Sequence, residues 1–285
     1  MKSIAILLTV FNRKDKTLAC LKRLYDQLSV DGCEVDVYLT DDGCTDGTPE
    51  AVAAEFPDVC IIAGGGDLFW NRGMHAAWER AAQTQRYDFY LWLNDDTFVC
   101  DDMLKALVEA SAQKEDKAII VGATQSADHT RTTYGGRQKT GKVVEPDGTL
   151  AEVNYFNGNI VLVPASVYDV LGNLDYYFTH SKGDFDYGLR AGKCGIKMFQ
   201  VGRYLGECDA HPTLDKWCNP DVPLRQRWKM LYRPNGMPPL ETFHLEKRHF
   251  SLSGAVLHFV TIHVRCLFPC LWNRRNRKQF NTHTS

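Results

Sequence analysis

Several things are missing from this 285-residue sequence, and each absence closes off a class of protein. Its ten cysteines include no Cys-x-x-Cys pair, and Cys266 and Cys270, separated by three intervening residues, have no second pair to finish a zinc shell. Scattered thiols of this kind suit a reducing cytosol better than a secreted disulfide framework. No G-x-G-x-x-G and no G-x-x-x-x-G-K-[ST] is present, so dinucleotide-binding and P-loop readings drop out. No small-residue cleavage site follows the apolar run in "MKSIAILLTVFNRKDK", which reads as a core strand and not as a signal peptide. The longest apolar stretch, near the C-terminus, contains His258, His263, Arg265 and Pro269 and is too polar to cross a bilayer comfortably. No internal repeat or low-complexity segment occurs.

What is present is an ordinary globular composition, 44% apolar and 24% charged. A net charge of −2 makes the whole chain no nucleic-acid binder. That average conceals an asymmetry. Residues 1–223 carry 22 Lys+Arg against 33 Asp+Glu, a net of −11, whereas residues 224–285 carry 11 against 2, a net of +9. A body over 1–223 and a basic, apolar extension over 224–285 are therefore expected.

Apolar runs rich in Ile, Val, Leu and Tyr occur at 3–10, 34–40, 59–63, 87–93 and 118–124. Helical faces lie between them, such as Leu18, Leu21, Leu24, Tyr25 and Leu28, or Met74, Ala77, Trp78 and Ala81. Thr48–Pro49 reads as a helix start. This alternation predicts an α/β fold with a mostly parallel sheet covered on both faces. After residue 125 a polar hairpin is expected, then a strand and a helix near Pro164, a helix over "KGDFDYGLRAGKCG" and a strand at "IKMFQVG".

Ligands of such sheets bind beyond the carboxyl ends of the strands. Three of those ends carry polar clusters: "TVFN" (9–12), "TDDGCTDGT" (40–48) and "NDD" (94–96). Adjacent carboxylates there can grip a hard divalent cation, or can cap the following helix; Asp101 and Asp102 already stand at that helix start. "TDDGCTDGT" fails as a calcium loop, since Cys44 and Ala53 fall on ligand positions, leaving a polar turn or a carboxylate that reads a nucleotide. "AGGGDLFWNRGMHAAW" reads as a flexible loop or a close approach to phosphate, with Arg72 near a helix N-terminus. In "GDFDYGLR", Asp184 and Asp186 cannot share a helical face; one reads as a general base and the other as an i,i+4 partner of Arg190. His211 is a candidate metal or phosphate ligand, or simply a structural histidine.

Taken together, "LLTVFNR" (7–13), "LTDDGCTDGT" (39–48), "WNRGM" (70–74), "LNDD" (93–96), "FNGNIVLVPASVYDVLG" (156–172) and "GDFDYGLRA" (183–191) resemble family 2 glycosyltransferases of the GT-A fold, a Rossmann-like nucleotide-diphospho-sugar transferase architecture. "GDLFWNRGM" and "NGN" are most similar to rhamnosyltransferase-type members from bacterial polysaccharide clusters. The resemblance implies that Thr9 and Asp42 contact the nucleoside, with Asn12 and Arg72 also on the donor side. It implies Asp96 as main ligand of Mn²⁺ or Mg²⁺, helped by His211, with Asp95 beside the donor sugar or ribose. It implies Asp184 as catalytic base, and an acceptor framed by Asn157, Gly158 and Asp186. Two positions depart from the family pattern: Asn94 replaces the first acid of the DxD motif, and Gly183 stands where Glu often precedes the base.

The expected reaction is inverting transfer from a nucleotide-diphosphate sugar, UDP- or dTDP-linked, to a glycan or lipid-linked acceptor. A nucleotidyltransferase would want glycines after the first strand, which "TVFNRKDK" lacks; a catalytically weak nucleotide-sugar or glycan-binding protein is the alternative. The basic tail suggests peripheral contact with the inner face of the cytoplasmic membrane. Its rivals are a helix covering the catalytic domain or a homodimer contact.

Overall fold

A computed structural model describes residues 1–28, 32–210 and 215–271. The first strand shows why helices cover both faces of the sheet. On β1 (Lys2–Val10), Ile4, Ile6, Leu8 and Val10 enter one core while Ala5 and Leu7 enter another. A strand apolar on both sides of its two-residue period needs cover on both.

From β1 the chain runs through α1 (Lys14–Tyr25), β2 (Cys33–Asp41), α2 (Thr48–Glu55), β3 (Cys60–Ala63), α3 (Phe69–Thr84) and β4 (Phe89–Leu93). Then come β5 (Phe98–Val99), α4 (Met103–Ala112), β6 (Ile119–Gln125), β7 (Thr132–Tyr134), β8 (Gly136–Arg137), β9 (Ala151–Glu152) and β10 (Tyr155–Phe156). β11 (Ile160–Pro164), α5 (Ala165–Leu171), α6 (Gly183–Lys193) and β12 (Met198–Glu207) follow. Helices α1, α2 and α4 supply Leu21, Leu24, Val52, Leu104 and Leu107 to the first core. Helices α3, α5 and α6 supply Met74, Trp78, Val167 and Tyr187 to the second.

The sheet order is β3-β2-β1-β4-β11-β6-β12-β5. β1 pairs in parallel with β2 and β4, β2 with β3, and β6 with β12, while β11 runs antiparallel between β4 and β6. The mostly parallel α/β sheet expected from the sequence is present. Its consequence is positional: the carboxyl ends of β1, β2 and β4 lie side by side on one edge.

Two local expectations need correction. The N-cap of α2 is Gly47 (φ 78°), not Thr48, whose hydroxyl instead donates to Asp46 Oδ1 at 2.5 Å. Asp102 is the N-cap of α4 but makes no side-chain cap bond, because its carboxylate takes both arms of Arg203 at 2.9 and 2.6 Å.

The chain divides into two compact units, Met1–Thr179 with Gly183–Ala210, and His180–Lys182 with His211–Ser285. In the second, a 3₁₀ turn (Lys216–Cys218), α7 (Leu224–Leu231), α8 (Pro239–His249) and α9 (Leu252–Leu267) gather around Trp217, Cys218, Leu231 and Cys266. Ser251 caps α9 by accepting from Gly254 N at 3.0 Å. At its other end, buried Arg227 donates to the carbonyls of Cys266 (2.9 Å) and Leu267 (3.3 Å), which have no partner inside the helix. Among the described residues, no helix is long and apolar enough to cross a membrane.

Candidate active site

The polar edge is built by short side-chain staples between strand ends. Asn12, just past β1 and in the left-handed region (φ 52°), accepts from Thr45 N at 2.8 Å and so ties the β1 end to the loop after β2. Asp42 is 2% exposed and accepts three backbone N–H groups, from Gly66 (2.9 Å) and Leu68 (3.1 Å) on Oδ1 and from Phe69 (2.8 Å) on Oδ2. It thereby folds the triple-glycine loop back over β2. Thr9 packs directly under α3: a Cβ on Gly73 would come within 2.1 Å of its hydroxyl, and Thr40 donates to Gly73 O at 2.8 Å.

"NDD" divides into three jobs. Asn94 Oδ1 accepts from Trp70 Nε1 at 2.7 Å, and its backbone N–H donates to Asn159 O at 3.1 Å. Asp95 is 1% exposed and holds Arg13 NH2 at 2.5 Å and the Thr17 hydroxyl at 3.2 Å. Burial pushes its carboxyl up to about 7, against the pull of Arg13. Asp96, 23% exposed, takes Arg13 NH1 at 2.6 Å on Oδ2, while its Oδ1 has the Cys208 thiol at 3.9 Å.

Asp184 stands in the first turn of α6. Its Oδ1 accepts from Phe185 N at 2.8 Å and its Oδ2 from Gly158 N at 3.1 Å. Burial outweighs these bonds and the nearby Arg137, and raises its pKa to about 6. Gly158 has no room for a side chain, since a Cβ would meet the Trp70 ring at 2.6 Å. Trp70 therefore connects Asn94 on one side with Gly158 and Asp184 on the other.

The remaining expected residues are distributed unevenly. Arg72 donates to Tyr176 O at 3.1 Å and lies over the Tyr176 ring. Asn157 accepts from Arg137 Nε at 2.9 Å, beside Asp184 rather than in the core. Asp186 is fully buried and paired with Arg190 Nε at 2.8 Å, the i,i+4 partnership its spacing suggests. That position holds α6 to Leu171 O and Asn173 O through Arg190 and leaves Asp186 no face toward an acceptor. His211 lies outside the described residues. Arg13, Trp70 and Arg137 belong to this edge and were not singled out from the sequence; Arg13 and Trp70 sit inside the quoted motifs, whereas nothing around Arg137 marks it.

A Mg²⁺- or Mn²⁺-type ion bridging a diphosphate needs only one or two protein carboxylates and completes its shell with phosphate oxygens and water. Asp96, a carboxylate 23% exposed at the edge, fits that demand. Asp95, with both oxygens occupied and almost no exposure, does not offer itself as a ligand. No group of three His, Cys, Asp or Glu side chains gathers among the described residues.

An α/β sheet with this strand order, carrying paired acids at the β4 end and a carboxylate on α6, defines the GT-A class of nucleotide-sugar transferase folds. The sequence profile described as Glycosyl transferase family 2 matches residues 5–170, more than half of the chain. The chain belongs to that family. S. aureus TarS 1–349 in complex with UDP-GlcNAc superposes with a TM-score of 0.58 at 12% identity, over 92% of this chain and 81% of that one. The mannosyltransferase PcManGT from Pyrobaculum calidifontis, in complex with GDP-Man and Mn²⁺, gives 0.55 at 14%, over 90% and 75%. Longer TarS gives 0.55 at 12% identity, and this chain covers 43% of its length. No curated protein matches the chain. At these identities the structural neighbours show the fold.

Proposed function

We propose that this glycosyltransferase moves a sugar, with inversion, from a UDP- or dTDP-linked donor to a hydroxyl of a glycan or lipid-linked acceptor in bacterial surface polysaccharide synthesis. The observation that supports the reading is the link through Trp70, which bonds Asn94 beside the two acids at the β4 end and packs against Gly158, whose N–H donates to Asp184. Asp184 would remove the acceptor proton: a pKa near 6 leaves it ionised at neutral pH yet more basic than an ordinary carboxylate. Its two backbone N–H partners fix the carboxylate for that task. A single base with direct displacement inverts the anomeric carbon.

Negative charge develops on the departing diphosphate. Mn²⁺ or Mg²⁺ held by Asp96 would supply Lewis-acid stabilisation there. Arg72, at the α3 start, is assigned to the phosphates and His211 to the metal with Asp96; Thr9, Asn12, Asp42 and Asp95 shape the nucleoside side; Asn157 and Gly158 line the acceptor side. The complexes of the neighbours with UDP-GlcNAc and with GDP-Man and Mn²⁺ support a nucleotide sugar and a divalent ion. Calorimetry against UDP-, dTDP- and GDP-sugars with Mn²⁺ tests the reading. Binding of none of them would sink it, and binding without transfer to any acceptor would favour a sugar-binding protein on the same fold.

Residues 1–223 are assigned as the transferase domain and 224–285 as an extension that lies on the inner face of the cytoplasmic membrane. In α9, Leu252, Val256, Leu257, Val260 and Leu267 are 38–60% exposed, an apolar face on a segment with net charge +9. An apolar face beside excess Lys and Arg suits an anionic bilayer surface. The "RRNRK" stretch (274–278) that adds to this charge lies outside the described residues.

A further inference from the structure

Arg13 has no part in the roles assigned above, yet it makes the shortest ion pairs at the site. Its guanidinium forks across the two acids, NH2 to Asp95 Oδ1 at 2.5 Å and NH1 to Asp96 Oδ2 at 2.6 Å. The two halves differ in environment. Asp95 is 1% exposed and receives the Thr17 hydroxyl on its other oxygen, so that half is dry and anchored. Asp96 is 23% exposed and Arg13 itself 40%, so the NH1 half faces solvent. Thr17 Oγ1 also lies 3.1 Å from Arg13 O, which fixes the backbone at the start of α1 while the long side chain keeps its rotamers.

A divalent cation bound to a carboxylate sits about 2.1 Å from its oxygen. On Asp96 Oδ2 it would be crowded by a guanidinium nitrogen already at hydrogen-bond distance, and the two positive charges would repel. We infer that Arg13 is a resident counter-ion of Asp96 that competes with the divalent cation, and that a nucleoside diphosphate relieves the competition by accepting the displaced NH1. The guanidinium keeps Asp95 and turns its free arm to phosphate oxygens, for which its planar fork is well suited. Metal and nucleotide are then coupled through one side chain, so each strengthens binding of the other by the same factor. Arg13 is a positioning residue here. The inference rests on the assignment of the metal to Asp96.

The test is a titration of Mn²⁺, read by electron paramagnetic resonance of the free ion, into wild type, Arg13→Gln and Arg13→Lys. Each is run without nucleotide and with saturating UDP, dTDP or GDP. Arg13→Gln should bind Mn²⁺ alone roughly tenfold more tightly, and its gain from nucleotide should shrink by about the same factor. Arg13→Lys, a point charge that cannot fork, should fall between, and it serves if the Gln variant does not fold. Suppose wild type shows nucleotide-strengthened Mn²⁺ binding, but the variants bind Mn²⁺ alone no more tightly, or more weakly. Then Arg13 supports the site or the ion uses Asp96 Oδ1, and the inference is overturned while the metal assignment stands. If wild type binds no Mn²⁺ with any nucleotide, the metal assignment fails first.

Discussion

Asp184→Asn separates chemistry from stability in a way the geometry makes quantitative. Burial raises the Asp184 pKa from 3.8 to about 6. The folded state therefore binds this proton more tightly than the unfolded chain does. Between about pH 4 and 6 the native carboxyl is protonated while the unfolded one is ionised, so stability falls as pH rises through that window. At about 1.4 kcal/mol per unit, roughly 3 kcal/mol has gone above pH 6. Asparagine, neutral and of the same shape, escapes that loss. Its amide nitrogen must, however, face one of the two N–H groups, Phe185 or Gly158, that the carboxylate accepts, at a cost of about 1–3 kcal/mol. The variant should thus be at least as stable as wild type at pH 7.5 and lose that standing by pH 4, measured as urea midpoints. Transfer should fall by about 10²–10⁴-fold with donor affinity unchanged in calorimetry. In wild type, log kcat/KM should climb with pH and level off above about 6, where the base is ionised. A near-normal rate would place the base elsewhere. A large loss of stability at pH 7.5 would make Asp184 a structural acceptor instead.

Asp96→Ala should abolish metal-dependent donor binding, and calorimetry with and without Mn²⁺ giving equal affinities to wild type would remove Asp96 from the metal. Gly183→Ala places a Cβ 1.6 Å from Asn71 Oδ1 and should lower stability by about 1–3 kcal/mol, checked by thermal melting; the double change with Asn71→Ala should recover part of it. Val256→Glu with Val260→Glu puts charge on the exposed α9 face and should release the protein from anionic liposomes in a sedimentation assay. If wild type ignores those vesicles but self-associates through this face in analytical ultracentrifugation, the partner is a second copy.

The parts legible in sequence were those governed by local period and strand-end chemistry. The run at 3–10 becomes Lys2–Val10, and that at 118–124 becomes Ile119–Gln125, because a strand apolar on both faces has few other ways to be buried. The edge carrying Asn12, Asp42 and Asp96 follows from parallel pairing alone. The antiparallel direction of β11 could not be read, since an apolar five-residue strand looks the same in either sense. Asp186 was legible as the partner of Arg190 through its i,i+4 spacing, but its complete burial is a tertiary outcome. Arg13 was hidden for a related reason: it meets Asp95 and Asp96 across more than 80 positions of sequence.

The two departures from the family pattern acquire one physical explanation in the first turn of α3. An acid at position 94 would be a third carboxylate beside Asp95 and Asp96, with Arg13 already shared between those two. Asparagine instead offers a neutral oxygen to Trp70 Nε1 at 2.7 Å. The neighbouring residue, Asn71, is fully buried and donates to Asp175 O (2.9 Å) and Phe178 O (2.7 Å), which brings its oxygen against position 183. A glutamate there would lose its place to Asn71, whereas glycine lets α6 start close enough for Asp184 to reach Gly158 N. Trp70 and Asn71 thus answer Asn94 and Gly183 in turn. Both contacts lie within one packed turn, and neither involves Asp96 or Asp184, the two groups to which the proposed function assigns the metal and the acceptor proton.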